Sequence, residues 1–301
     1  MRFSLLRPLA VVVLLSLATG CGLFDEAFEL EATVPGLVQA SSRNTDFRAY
    51  DALEDAVRAD GQAVLATRVE FAEAARSNGI ELLPTRVALI NAGAISQPLV
   101  AADPRIALEF PQPLLIYTAN EERVVAGYNT AAYLAQRYDV GGLPALDSYE
   151  ERWQRFTLAA SSNGTLVGPG PGAVARHVGI IETVVEGEVP DAFRRLNQVV
   201  RDREDLQTVA RYDHTVEGGR PAITLVLNQP ETAARFVSSD QTVAIDALLR
   251  VALFEDLDGQ THLAYVDPAY TADRHGIADD AADQVATLRT ILADLVAQVV
   301  E

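Results

Sequence analysis

Two sets of side chains in this sequence have the types and spacing to do chemistry. The first is a triplet that occurs twice: Tyr128, Tyr133 and Arg137, then Tyr265, Tyr270 and Arg274. A tyrosine ending a strand, with a second tyrosine and an arginine on the following helix, can wall a cleft. The arginine then offers an anion a planar, two-pronged donor. The same residues also suit a core role, with the hydroxyl satisfied and the arginine capping its helix. The second set is Asp213, His214 and His275. Two imidazoles and a carboxylate suit zinc or another divalent ion, or a histidine latched to an acid. Their spacing is not that of a diagnostic metal motif. His262 is a poor third ligand, because it should point away from Tyr265 on an alternating strand. No nucleophile motif accompanies the histidines. The chain has no lysine, which excludes Schiff-base chemistry and a P-loop lysine. The Gly-Pro run at 168–172 has no phosphate-loop pattern. No cofactor is expected, apart from the divalent metal that the histidine set would take.

The elements that must position these residues come in two copies. Shifted by 137, Asn91 falls on Asn228, Asp103 on Asp240, Tyr128 on Tyr265, Tyr133 on Tyr270 and Arg137 on Arg274. Shifted by 143, Gly36 falls on Gly179, Leu53 on Leu196 and Arg68 on Arg211. One deletion in the second copy, between Arg211 and Asn228, accounts for the change of offset. Two copies imply two folded units of one architecture, packed as a pseudo-symmetric pair.

The N-terminus carries Arg2 and Arg7, an apolar run at 9–17, and Leu17-Ala18-Thr19-Gly20-Cys21. The apolar run is too short to span a bilayer as a mature helix. Small residues ahead of the chain's single cysteine resemble the lipobox of bacterial lipoproteins. That resemblance implies a signal peptide over 1–20, cleavage before Cys21 and a lipid on its thiol. Gly22 in the next position resembles outer-membrane sorting, which implies a lipid-anchored periplasmic protein of the cell envelope. With one cysteine, no disulfide can form within the chain.

Composition excludes further classes. There are 24 basic against 42 acidic groups, a formal charge of −18. Such acidity argues against nucleic acid as a partner and against charge-driven binding to anionic membranes. The membrane contact expected is therefore the lipid alone. Apolar content of 49% is enough for two real cores.

Patterning divides the chain into a tether at 21–35, a first repeat domain at 36–160, a Gly/Pro linker at 161–176 and a second repeat domain at 177–301. In the first copy, helical spacing of Tyr50, Leu53 and Val57 predicts a helix over 46–60, ended by Gly61. Strands are expected at 36–42, 63–70 and 86–91, a short helix at 71–77, and a hairpin over 113–128. Helices at 130–138 and 146–158 complete the copy. The second copy repeats the order, with a hairpin turning at Asp256-Leu257-Asp258-Gly259. Strands and helices mix without regular alternation, which is an α+β pattern with a mostly antiparallel sheet per copy.

Several spaced motifs resemble the bacterial and archaeal domain-of-unknown-function family 302. Tyr128-Asn129-Thr130-Ala131-Ala132-Tyr133 through Arg137-Tyr138 is similar to its C-terminal signature, and Tyr265 through Arg274-His275-Gly276 repeats it. Phe71 to Gly79, then Leu83-Pro84-Thr85-Arg86 to Asn91, is similar to the family's middle. Tyr212-Asp213-His214 stands where the family commonly has a histidine. The resemblance covers nearly all of 36–277. It implies a curved antiparallel sheet with helices on one face in each copy, similar to the TATA-box-binding-protein class, and it implies no activity. The family's histidine positions are His214 and His275 in the second copy but Phe71 and Tyr138 in the first. Any histidine chemistry belongs to the second copy, which has lost the short helix and the Leu-Pro-Thr segment and should have the more open pocket. The sequence as a whole is that of a module binding a small molecule or an envelope protein. The alternative is a metal- or histidine-dependent envelope enzyme using the second domain.

Overall fold

The fold is known from a computed structural model that describes Leu30 and residues 32–120, 123–215 and 219–300. The signal segment, Cys21 and most of the tether lie outside the described residues. In chain order, the first copy runs β1 (Leu37–Ser42), α1 (Asp46–Asp60), β2 (Val64–Glu70), α2 (Phe71–Ser77), β3 (Thr85–Asn91) and α3 (Gly93–Ala102). A 3-10 turn (Pro104–Glu109), β4 (Gln112–Asn120), β5 (Arg123–Asn129), α4 (Ala131–Tyr138) and α5 (Pro144–Ala160) complete it. After β6 (Leu166–Val167), the second copy runs β7 (Ile180–Val185), α6 (Val189–Arg201), β8 (Gln207–Asp213), β9 (Ala222–Asn228) and α7 (Pro230–Ser239). A second 3-10 turn (Gln241–Ile245), β10 (Leu249–Glu255), β11 (Thr261–Val266), α8 (Pro268–Arg274) and α9 (Ala282–Val300) follow. Element for element the copies correspond, except that α2 has no counterpart among the described residues of the second.

Local signals explain the elements. Thr45 caps α1 by accepting from the Arg48 amide at 3.3 Å, and Gly61 closes it in the left-handed conformation at φ 71°. Ala49, Tyr50, Leu53 and Val57 form its buried face. Asp103 and Asp240, matched by the repeat, do one job twice. Each carboxylate opens its 3-10 turn by accepting an amide, from Arg105 at 3.0 Å and from Thr242 at 2.7 Å.

All strand pairings are antiparallel. The first sheet has the order β2-β3-β4-β5-β1-β6 and the second β7-β11-β10-β9-β8. This is the α+β architecture read from the patterning, with two tandem sheets. One expectation fails. The Gly/Pro linker contributes β6, whose Leu166 and Val167 pair with Ala40 and Gln39 of β1. An edge strand needs only backbone donors and acceptors, so even a two-residue run between Gly and Pro joins a sheet when the chain already runs beside it. The tether also ends early: Val34 is buried and Pro35 accepts bonds from the second copy.

Helices cover one face of each sheet, and the other copy covers the opposite face. Val87, Leu89, Leu115 and Val125 of the first sheet share a core with Val243, Ala244 and Ile245 of the second 3-10 turn. Reciprocally, Ala252, Phe254 and Ala264 of the second sheet share a core with Ile106, Leu108 and Phe110. Polar bonds fix the crossing. Thr224 donates to the Ala107 carbonyl at 2.7 Å, and Gln241 donates to Thr85 at 2.7 Å.

Two glycines set how closely each first strand approaches the helix that carries the paired tyrosine. Gly36 and Gly179 have φ of 76° and 69°. A Cβ on Gly36 would lie 2.5 Å from Tyr133 Cβ, and one on Gly179 would strike Tyr270. Gly36→Ala and Gly179→Ala should each lower unfolding stability by about 2–5 kcal/mol, from left-handed strain plus overpacking. Urea unfolding measures it; variants as stable as the parent would show that the tyrosines move aside freely.

Candidate functional site

The repeated triplets meet at the seam between the copies, about a pseudo-twofold axis. Tyr133 and Tyr270 touch hydroxyl to hydroxyl at 2.9 Å. Each arginine crosses over: the Arg137 guanidinium lies 4.5 Å from the Tyr270 ring centre and that of Arg274 4.2 Å from the Tyr133 ring centre. Each also bonds a carbonyl of the opposite copy's first strand approach. Arg137 Nε donates to Val178 O at 3.2 Å, and Arg274 donates to Pro35 O at 3.0 and 2.8 Å. Each holds a carboxylate of its own copy, Arg137 with Glu109 at 3.0 Å and Arg274 with Asp246 at 2.5 Å. Burial would raise the Asp246 carboxyl, but Arg274 and then His275 hold it below the usual carboxylate range. Burial raises the Tyr133 phenol, so it stays neutral.

The expected open cleft walled by these residues is not what the structure has. Tyr133, Arg137 and Arg274 are buried in the seam and Tyr270 is half-buried there. Tyr128 stands apart, buried, donating to Glu150 at 2.6 Å. Tyr265 is half-buried on β11. The physical reason is duplication. A surface that a single copy would present to a ligand is here covered by the other copy's identical surface.

The histidine set does not assemble either. His275 replaces Tyr138 in the repeat and takes over its job. Tyr138 donates to Glu109 at 2.7 Å, and His275 Nε2 bonds Asp246 at 2.9 Å while Nδ1 bonds Thr242 at 2.9 Å. Burial pushes the His275 ring down, with Asp246 opposing. His214 is buried elsewhere, with Nε2 bonded to Thr224 Oγ1 at 3.0 Å. Thr224 donates its own proton to Ala107, so the histidine carries the hydrogen on Nε2. Asp213 turns away to accept from the Thr215 amide. The three residues share no partner. Among the described residues no group of three or more His, Cys, Asp or Glu side chains is placed to hold a metal.

An open site does exist at the seam, off the axis. Arg105 of the first copy forks onto Glu182 of the second at 2.6 and 3.1 Å. Glu182 in turn meets His262 Nδ1 at 2.7 Å, and His262 Nε2 meets Asp256 at 2.9 Å. On the other side His177 Nε2 meets Asp103 at 2.6 Å. Beside this chain of charges lies a cavity of about 510 Å3, lined by Asp103, Arg105, Arg176, Arg220, Asp256 and Asp258 among others. A second cavity of about 280 Å3 adjoins it and shares Ala101, Pro104 and Arg220. Gln97, Val100 and Ala101 of α3 form one wall of this second cavity and His214 part of the other. In the first copy α2 packs on α7. The counterpart of that contact would fall on α3, so the second cavity opens where the described residues of the second copy hold no counterpart of the short helix. Arg176 is paired with Asp139 at 2.9 Å, but Arg220 bonds only the Ala101 carbonyl, at 3.1 Å, among the described residues.

None of Asp103, Arg105, His177, Glu182 or Arg220 is legible as a site in the sequence, because they converge from both copies without a shared spacing. The available signal was the deletion itself, which marks where the second copy lost cover.

Burial holds His214 down to about 3, with Asp213 opposing. Between that value and its ordinary 6.5 the unfolded chain binds a proton that the folded chain excludes. The stability is therefore full above about pH 6.5 and is lost as pH falls. Between pH 6.5 and 5 the parent should lose about 2 kcal/mol more than His214→Phe in urea unfolding, at about 1.4 kcal/mol per pH unit. Equal losses would show that the ring is already hydrated.

The profile of a family described as Domain of unknown function DUF302 matches the chain twice, at residues 39–158 and 181–295. No curated protein matches the chain. A crystal structure of an uncharacterized conserved DUF302 protein from Bacillus stearothermophilus is similar over 43% of this chain and 98% of its own, at 11% identity and a TM-score of 0.35.

Proposed function

Because the chain belongs to the DUF302 family twice over, and that family is described only as of unknown function, we propose a function from the chain's own geometry. It is a lipid-anchored binding module of the bacterial cell envelope. Its ligand is a small solute bearing a carboxylate and a positive group, taken in the off-axis cleft. The observation that carries this reading is Arg220, a guanidinium on the wall of both cavities with no carboxylate partner among the described residues. A ligand carboxylate supplies that partner in a two-pronged pair. Asp256 and Asp258, on the facing turn, suit the ligand's positive end. A volume of about 510 Å3 is of the size that small-molecule sites use. Both copies contribute walls, so the cleft exists only in the duplicated protein. No helix among the described residues is long and apolar enough to cross a membrane. Attachment in this reading comes from a lipid on Cys21, sorted to the outer membrane and facing the periplasm.

Two measurements test it. Thermal unfolding against a panel of amino acids, dicarboxylates, amines and neutral sugars should show a rise of at least 2 °C only for carboxylate-bearing solutes. Arg220→Gln should abolish the rise while changing the unliganded stability by no more than about 0.5 kcal/mol, since the side chain is only half-buried and holds no ion pair among the described residues. A variant that responds as the parent does, or a panel with no response, removes this reading. Separately, Cys21→Ser should move the protein from the membrane fraction to the soluble fraction or leave it unprocessed. A processed, membrane-bound variant would end the lipid-anchor reading and leave the cleft untouched.

A further inference from the structure

The seam holds a second binding feature, independent of the open cleft. Arg250, on β10, is buried and stands where the first copy has Pro113. Its Nη1 donates to the carbonyls of Leu108 at 3.1 Å and Pro111 at 3.0 Å. It forms no ion pair among the described residues. The two carboxylates nearby are taken, Glu109 by Arg137 and Asp246 by Arg274. These five groups, four of them buried and Asp246 half-buried, therefore carry three positive charges against two negative ones. The phenols around them are neutral at pH 7, and burial keeps His275 neutral.

The excess charge coincides with unmet hydrogen-bond donors. Nη2 of Arg250 and Nη2 of Arg137 are both buried without a partner among the described residues. Both arginines line one small cavity, together with Glu109, Asp246 and Tyr270. Its volume is about 20 Å3, enough for one atom-sized guest and too little for a phosphate or sulfate. A buried guanidinium without a counter-charge is costly, and two unbonded N–H groups add to that cost. A water would satisfy the donors but leave the charge.

We propose that this cavity is a binding site for a single halide ion, chloride in its natural setting, held between the Nη2 groups of Arg137 and Arg250. The ion supplies the missing negative charge and accepts both donors. It binds only when the two copies are packed, since Arg137 comes from the first and Arg250 from the second. It is thus a structural ion that links chloride to the integrity of the seam.

The test uses the purified protein after exhaustive exchange into gluconate. Crystals transferred to bromide are mapped by anomalous scattering. An anomalous peak in contact with Arg137 and Arg250 is expected. A map with bromide only at the surface, or none, overturns the proposal and leaves the cavity to water. In parallel, the unfolding midpoint is followed from micromolar to molar chloride, with gluconate holding ionic strength constant. Once the ion is present above its dissociation constant, the parent should gain about 3–5 °C per tenfold rise in chloride. Arg250→Gln should show no chloride-specific slope. Equal slopes in parent and variant also overturn the proposal. The bromide map needs no variant, so it decides even where Arg250→Gln does not fold.

Discussion

Neither Arg137 nor Arg274 can be buried in its own copy alone. Each needs a carbonyl from the opposite copy and the face of the opposite tyrosine, and each receives both. A buried donor left without its acceptor typically costs about 1–3 kcal/mol, and more when it is charged. Separating the copies would leave both arginines short of partners at once. The same event would expose the apolar faces of both sheets, since each 3-10 turn lies on the other copy's sheet. The seam therefore behaves as the interior of one folded unit. Gly36 and Gly179 serve this arrangement by letting the strand approach come close enough for its preceding carbonyl to reach the opposite arginine.

Around that symmetric centre the copies have drifted, and each difference has a local physical meaning. Tyr138 and His275 are alternative donors to one carboxylate position, so the exchange keeps the bond while changing the group that makes it. Pro113 and Arg250 are not equivalent in this way. Arginine adds a charge and five donors where proline offers neither. Phe71 opens α2 in the first copy, whereas no helix starts at His214 among the described residues. The buried ring there is neutral, and its one N–H is satisfied by Thr224, which passes a hydrogen bond on to Ala107. A duplicated chain can make such changes one side at a time. A homodimer of identical chains would have to make them twice.

The element order, the antiparallel sheets and the equivalence of the copies were legible in the sequence, because they rest on periodicity and on matched glycines, tyrosines and arginines. The residues of the tyrosine–arginine seam were legible too, but not their destination. Spacing shows that Tyr133 and Arg137 share a helix face; it does not show that an identical face will cover them. The histidines misled for a related reason. His214 and His275 stand at matched family positions, yet one serves a threonine and the other an aspartate on a different part of the second copy. The charged cleft was illegible because Arg105, Glu182, His177 and Arg220 come from segments related only by packing. The strand in the linker was missed because Leu166-Val167 is a two-residue run hemmed by Asn163-Gly164 and Gly168-Pro169, too short to show a period, and its pairing with β1 is a backbone matter.

These observations bear on where activity can arise in a doubled fold. Where the two copies match, their surfaces meet and seal, and what remains there is small enough only for an ion or a water. Space for a larger ligand opens where they fail to match. With no counterpart of α2 among the described residues of the second copy, α3 of the first is uncovered, and that gap merges with the charged cavity beside it through Arg220. A single copy has no such gap, because its α3 has no partner to lose. A perfectly symmetric pair has none either, because the missing helix would be in place. The cleft is thus a property of the difference between the copies, and a chain with two near-identical copies of this domain should lack it.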